Sequence, residues 1–395
     1  MTMAYNFDEM IPRRGTNSIK WDLSEEDGVI PMWVADMDFR VAPDIAEALR
    51  ARVEHGVFGY THVPDAYYDA VTGWFASRHG FSIDRKWILY IPGVVPALTA
   101  IVKALTSPGD KVLIQPPVYN CFFSVVANNG CSLAENPLIY RDNTYTIDFE
   151  DLERKASEPL VKVMILCNPH NPAGRVWTRD ELERIGEICL RNDVFVIADE
   201  IHCEITSPGH DYVPFASISD EFLMNSVSCS SPSKAFNLAG MQISNIVCAS
   251  SKVRRAIARS IDQIEQRNVN PFGVDALIAA YGRCGDWLDE VRAYIHGNYQ
   301  YMLSVFNDEL PGFPVLPLEG TYLAWVNCSA LGIGSQEIED RLKSEWKVWV
   351  NAGVHYGQEG DRFIRVNLAC PRGTLREGLS RLAGGLKALL SEKSV

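Results

Sequence analysis

Residues 161–202, "VKVMILCNPHNPAGRVWTRDELERIGEICLRNDVFVIADEIH", decide the fold. "VKVMIL" (161–166) and "VFVIA" (194–198) are short, nearly continuous apolar runs. Strands apolar on both faces belong in a sheet covered on both sides. Between them, "TRDELERIGEICLRND" (178–193) begins with Thr178 and Glu181 at capping-box spacing, which predicts a helix. Strands that alternate with helices in this way imply parallel pairing.

The same pattern extends in both directions. "KVLIQ" (111–115) and "SVSC" (226–229) read as further buried strands. "PDIAEALRARVEHG" (43–56) opens on Pro-Asp and closes on Gly, a helix with both punctuation marks. "VVPALTAIVKALTSPGD" (94–110) has helical apolar spacing, with Pro96 near its start and Pro108-Gly109 ending it. The central portion is thus an α/β layered domain. After about residue 285 the texture changes. "VRAYIHGNYQYMLSVFNDEL", then strand-like "TYLAWVN" and "RFIRVNL", predict a smaller α+β domain joined by the N-terminal arm. The expected division is 46–285 for the large domain, with 1–45 and 286–395 as arm and small domain.

The 395 residues carry 37 Lys and Arg against 50 Asp and Glu, a net charge of −13. With no compensating basic stretch, that balance argues against nucleic-acid or anionic-membrane partners. Ten cysteines are scattered without CxxC spacing, several inside apolar runs, and read as buried thiols in a reducing compartment, with no zinc site. No run reaches the length of a membrane span, and "MTMAYNFDEMIPRRG" lacks an apolar signal region. The expected location is cytoplasmic.

In open α/β sheets, ligands bind outside the carboxyl ends of the strands. Here "KVLIQ" leads to Tyr119, "VKVMIL" to Asn168 and Asn171, and "VFVIA" to Asp199 and His202. "SVSC" leads to Ser231, Ser233 and Lys234, and "WILYI" to the turn "PGVVPA". Singly, each has an ordinary structural reading: turns, caps, a satisfied neutral histidine. Together they converge on one rim. The start of a helix at Gly93, Val94 and Val95 offers free N–H groups to a phosphate, and Ser231 and Ser233 add hydroxyl donors. Tyr119 can stack on a planar ring, Asp199 can keep a ring nitrogen protonated, and Lys234 can close a Schiff base with an aldehyde. That set predicts a pyridoxal 5'-phosphate site.

The order of motifs, "GVV", "PPVY", "NPHNPAG", "ADEIH", "SPSK" and a late "FIRVN", resembles the fold-type I pyridoxal-phosphate enzymes of the class I/II aminotransferase-like superfamily. "PMWVADMDF" (31–39), "HGVFGY" (55–60), "PSKAFNLAG" (232–240), "TYLAW" (321–325) and "RVNLACPR" (365–372) look like its MalY/PatB group of cystathionine β-lyases. The resemblance covers practically the whole chain. It implies a large cofactor-binding domain with a mostly parallel seven-stranded sheet, plus the smaller α+β domain. It also implies that Lys234 is the Schiff-base lysine, that Asp199 meets the pyridinium nitrogen, and that Asn171 and His202 sit near the phenolic oxygen. Tyr119 would stack on the ring, and Arg365 would clamp the substrate carboxylate. Tyr60 would reach the phosphate of a neighbouring subunit, making a homodimer with shared sites.

The implied reaction is α,β-elimination from cystathionine or a related sulfur amino acid, giving a thiol, pyruvate and ammonia. Lys234 moves the Cα proton, and Lys234, Tyr119 or the neighbouring copy's Tyr60 protonates the thiolate. Trp33 and Asp36 fall near the pocket mouth on one reading of "PMWVADMDF"; on the other, that stretch packs the arm on a partner. "WKVWVNAGVHYG" (346–357) has the same two readings. One departure counts against a standard aminotransferase. Many of those carry a phosphate-binding arginine eight residues after the lysine, where this chain has Gln242. An aminotransferase of class I/II is the first rival reading, and a regulatory or interaction protein using the fold as a platform is the second.

Overall fold

Seven short segments build the central sheet of the computed structural model, which describes residues 4–24 and 26–393. They are β1 (Ile88–Ile91), β2 (Lys111–Ile114), β3 (Ser132–Glu135), β4 (Val161–Cys167), β5 (Phe195–Asp199), β6 (Ser226–Ser230) and β7 (Ser244–Val247). The spatial order is β1-β7-β6-β5-β4-β2-β3. Only β7 is reversed, antiparallel to β1 and β6; every other pairing is parallel. Central strands carry no solvent-facing side, so β6 is buried at all its positions and β4 at all but Lys162. The mostly parallel seven-stranded sheet that the resemblance implied is present.

Helices α1 (Pro43–His55), α2 (Val94–Leu105) and α3 (Arg179–Arg191) lie where the periodicity puts them. α1 closes on Gly56 in the left-handed conformation, φ 74°. α3 has the full capping box between Thr178 and Glu181 and buries Leu182, Ile185, Ile188 and Cys189 on one face. α2 stops sooner than Pro108-Gly109. Thr106 turns to extended backbone, and its hydroxyl donates to Val102 O at 2.7 Å, so the helix ends at Leu105.

Beyond residue 284 come α4 (Gly285–Glu309), a three-stranded antiparallel sheet and α5 (Arg372–Lys393). The sheet strands are β8 (Leu323–Asn327), β9 (Asn351–Ala352) and β10 (Phe363–Asn367), in the order β8-β10-β9. They share an apolar core including Met302, Phe306, Val326, Ile364 and Leu379. Met32 of the N-terminal arm enters this core, and Ile30–Pro31 pair in parallel with Val348–Trp349. That pairing fixes where the next residues, from Trp33 onward, pass across the molecule. All ten cysteines are free thiols. Among the described residues, no helix is long and apolar enough to cross a membrane.

Candidate active site

The carboxyl rim of the sheet borders a cavity of about 650 Å³. β6 ends there and the chain turns at once into a short helix, Pro232–Ala235. The Ser231 hydroxyl caps it, accepting from Ser233 N at 3.0 Å and donating to Ile243 O at 2.6 Å. Lys234 thereby projects into the cavity, where its Nζ donates to Ala35 O at 2.7 Å. Burial, followed by the nearby Arg365 guanidinium, lowers its pKa from 10.5 to about 8. A sizeable share of this amine is therefore neutral and nucleophilic near physiological pH.

Asp199 is the last residue of β5, in register with Cys167 and Cys229, so it is a strand residue and not a helix cap. It is buried, and burial raises its pKa from 3.8 to about 7. One hydrogen bond, from Ile201 N at 3.2 Å, opposes that rise. His202 lines the same wall and is held well below its usual pKa by burial, then by Lys234 and Arg365; it is a neutral imidazole. Among the described residues its Nδ1 has no hydrogen-bond partner. Tyr119 also lines the cavity, and burial pushes its phenol pKa up, so it stays a neutral phenol.

Arg365, in the middle of β10, is buried and donates from Nη1 to Asn171 Oδ1 at 3.0 Å and from Nη2 to Trp33 O at 2.8 Å. At the opposite end, Gly93 precedes α2, and the first N–H groups of that helix, on Val94 and Val95, have no intrahelical acceptors. Gly93, Val94, Val95 and Ser233 all line the cavity, as does Gln242, whose amide stands where an arginine would bring charge.

Four expected residues are placed otherwise. Ser231 lies off the cavity because its hydroxyl is committed to the backbone on both sides. Asn168 is fully buried beneath the rim, and its Oδ1 holds Trp177 N at 3.1 Å. Asp36 is held in an ion-pair cluster with Arg13 (3.1 Å) and the buried Lys20 (3.4 Å) and borders an adjoining cavity that shares Lys234, leaving Trp33, Val34 and Ala35 as the wall residues of that stretch. Tyr60 is fully exposed and outside this protomer's cavity.

Conversely, Trp349, Asn351, His355 and Tyr356 from the "WKVWVNAGVHYG" loop are on the wall, which resolves that stretch in favour of the cavity-facing reading. Ile19 and Glu339 were not anticipated. Each is isolated in sequence from every other wall residue by an ordinary helical context.

This donor set fits pyridoxal phosphate. A primary amine of lowered pKa, a phosphate-ready helix start and a buried carboxyl with no hydrogen-bonded cation line one cavity. The buried carboxyl is the sharpest part of the fit, because a protonated ring nitrogen would supply the charge it lacks.

Residues 28–382 match the family model for aminotransferase class I and II. The chain is 44% identical to the Bacillus subtilis cystathionine beta-lyase PatB, across 96% of this chain and all of that one. It is 31% identical to the Escherichia coli protein MalY, over 98% of this chain and all of MalY. The crystal structure of cystalysin from Treponema denticola, which contains pyridoxal 5'-phosphate, superposes with a TM-score of 0.95 at 35% identity, covering 98% of this chain and all of cystalysin. The chain therefore belongs to the aminotransferase class I and II family, in the group of PatB and MalY.

Proposed function

We propose that this protein is a pyridoxal-phosphate-dependent C–S β-lyase. It takes a cysteine whose sulfur carries a substituent, such as cystathionine, and with one water gives a thiol, pyruvate and ammonia. The observation that carries the reading is the pair Lys234 and Asp199: an amine lowered to about 8 and a carboxyl raised to about 7 on the walls of one cavity. The relatives named for cystathionine β-lyase activity supply the reaction class.

The cofactor, when bound, supplies an electron sink for the substrate Cα. Lys234 is the residue that would hold its aldehyde, Asp199 its ring nitrogen, and the N-terminus of α2 with Ser233 its phosphate. Arg365 orients the substrate by its carboxylate, and its guanidinium is already aimed by Asn171 and the Trp33 carbonyl. With the carboxylate fixed, Lys234 removes the Cα proton, and the wall around Tyr119 keeps bulk water from the departing thiolate. Lys234, protonated by the Cα proton it has taken, can then give a proton to that sulfur, and Tyr119, kept a neutral phenol by burial, can donate a hydrogen bond to it.

Three further parts belong to this reading. Val57, Phe58 and Tyr60 are exposed apolar or aromatic side chains on one segment, which supports a homodimer whose Tyr60 serves the neighbouring copy's cavity. The separate core around Met302 and Ile364 supports division into a large domain, 46–285, and a small one with the arm; residues 1–3, 25, 394 and 395 of that division lie outside the described residues. Ten free thiols support a reducing, cytoplasmic setting.

The decisive experiment mixes the cofactor-loaded protein with L-cystathionine and no keto acid. Many turnovers of pyruvate and thiol are expected, reduced at least about a thousandfold by Lys234→Ala. One turnover of substrate per site, then arrest until a keto acid is added, makes the protein an aminotransferase instead.

A further inference from the structure

The stretch from Trp33 to Met37 crosses the molecule as backbone, and side chains from distant segments take its carbonyls one after another. Trp33 O accepts from Arg365 Nη2 at 2.8 Å and from Asn351 Nδ2 at 3.0 Å. Val34 O and Asp36 O both accept from Asn367 Nδ2. Met37 O accepts from Asn237 Nδ2 and from Arg13 Nη1, each at 3.0 Å. In the middle, Ala35 O accepts from two donors at once, Lys234 Nζ at 2.7 Å and the Tyr322 hydroxyl at 2.9 Å. The neighbouring carbonyls anchor the strap; this one also meets the reacting amine.

Tyr322 is fully buried and off the cavity wall, so it reaches Ala35 from behind. Burial, followed by Asp36, pushes its phenol pKa up, so the hydroxyl keeps its proton and donates it to Ala35 O. The residue is fixed on its own side, immediately before β8, where its carbonyl accepts from Leu368 N at 2.9 Å. Ala35 O therefore has one hydrogen bond that does not depend on Lys234.

A neutral lysine amine has two N–H bonds and one lone pair, and a carbonyl oxygen has two lone pairs. One N–H placed on Ala35 O leaves the amine lone pair to take a Cα proton, and the ammonium that results keeps the same bond. Tyr322 engages the other lone pair of that oxygen, so the carbonyl does not follow the amine as it moves. Sharing also limits how strongly the oxygen holds the ammonium. That limit acts with burial and Arg365, which lower the amine pKa, and against Asp36, Asp199 and Cys121, which raise it; His202, which also faces it, is neutral.

We infer that the Ala35 carbonyl is the seat of the Lys234 amine whenever that amine is free to move a proton, and that Tyr322, out of reach of the substrate, is the positioning residue that fixes this seat. The inference rests on the reading in which Lys234 carries the Cα proton, and it adds the residues that place it.

The first test needs no turnover. The chain has two Ala-Asp bonds, 35–36 and 198–199, so cofactor-free protein labelled with 1-13C-alanine and 15N-aspartate gives the Ala35 carbonyl as one of two signals. Its chemical shift should titrate with a midpoint of about 8 and go flat in Lys234→Met. In Tyr322→Phe the midpoint should rise by about half a unit, because the oxygen then serves the ammonium alone. On the loaded enzyme, Tyr322→Phe should lower kcat about tenfold, leave KM within about twofold and enlarge the isotope effect of an α-deuterated substrate. A wild-type carbonyl that does not titrate, or one that still titrates in Lys234→Met, overturns the seat. A midpoint unmoved or lowered in Tyr322→Phe, or an unchanged isotope effect, overturns the role of Tyr322. Absence of pyruvate from the wild-type enzyme overturns the lyase reading alone, since the titration is read without cofactor or substrate.

Discussion

Asp199 and Glu204 stand five residues apart, one ending β5 and the other in the turn that follows, each only 3% exposed, yet their electrostatics are opposite. Burial raises Asp199 to about 7, and its one hydrogen bond comes from a backbone N–H. Glu204 bears the same desolvation but receives the Trp74 indole N–H at 2.6 Å and His79 Nε2 at 2.7 Å, with Arg78 at 4.0 Å. These partners hold it below the ordinary glutamate value. The difference separates two uses of a buried acid. Glu204 is satisfied by its own fold and ties the helix Asp65–His79 to the turn after β5. Asp199 is left short of a cation on the cavity wall, and a ligand can bring one.

The largest expected effect that tests this contrast is on turnover. Asp199→Asn should lower pyruvate formation by about a thousandfold. The melting temperature of the cofactor-free variant should hold or rise, since an ionisable group short of a partner is replaced by a neutral isostere. A marked fall in melting temperature would place Asp199 with Glu204 as a structural acid.

Next comes pH. The folded value of Asp199 lies above its unfolded 3.8, so its contribution is full below about 4 and is lost as pH rises through about 7. Glu204 is depressed from 4.5, so its contribution is present above that value and is lost as pH falls through its folded pKa. In urea titrations of cofactor-free protein, Asp199→Asn should therefore remove a decline between roughly pH 4 and 7. Glu204→Gln should instead remove an acid-side loss. Loading the protein with pyridoxal phosphate should flatten the Asp199 component and leave that of Glu204 in place.

At a fixed neutral pH, Glu204→Gln should cost about 2 kcal/mol of stability, because its donors lose a charged acceptor. kcat should stay unchanged. The smallest effect belongs to α3, behind the sheet: Thr178→Ala breaks the capping box and should cost about 1 kcal/mol by denaturant melt, with full activity retained.

How far the sequence could be read depended on whether a residue's role is set by its own strand. Lys234, Asp199, Tyr119 and Gly93–Val95 follow directly from strand ends, and all line the cavity. Pairs in the same local context could not be separated. Asn168 and Asn171 both precede proline, yet one holds Trp177 N beneath the rim and the other holds Arg365 within it. Ser231 and Ser233 flank one proline, yet only Ser233 reaches the cavity, because the first must cap the helix that aims Lys234. Asp36 read as a pocket acid because nothing nearby in sequence announces Lys20 as its buried partner.

The layered sheet, the rim on which chemistry gathers, and the lysine at its centre were all legible in the residues alone. Apolar runs, caps and strand-end positions are local signals, and parallel topology turns them into one place. Tertiary structure alone decided which acid is left without a cation, which of two asparagines meets Arg365, and that Ile19 and Trp349 share a wall although 330 positions apart. Those outcomes depend on desolvation and on partners brought from distant segments, and neither is encoded at the residue concerned.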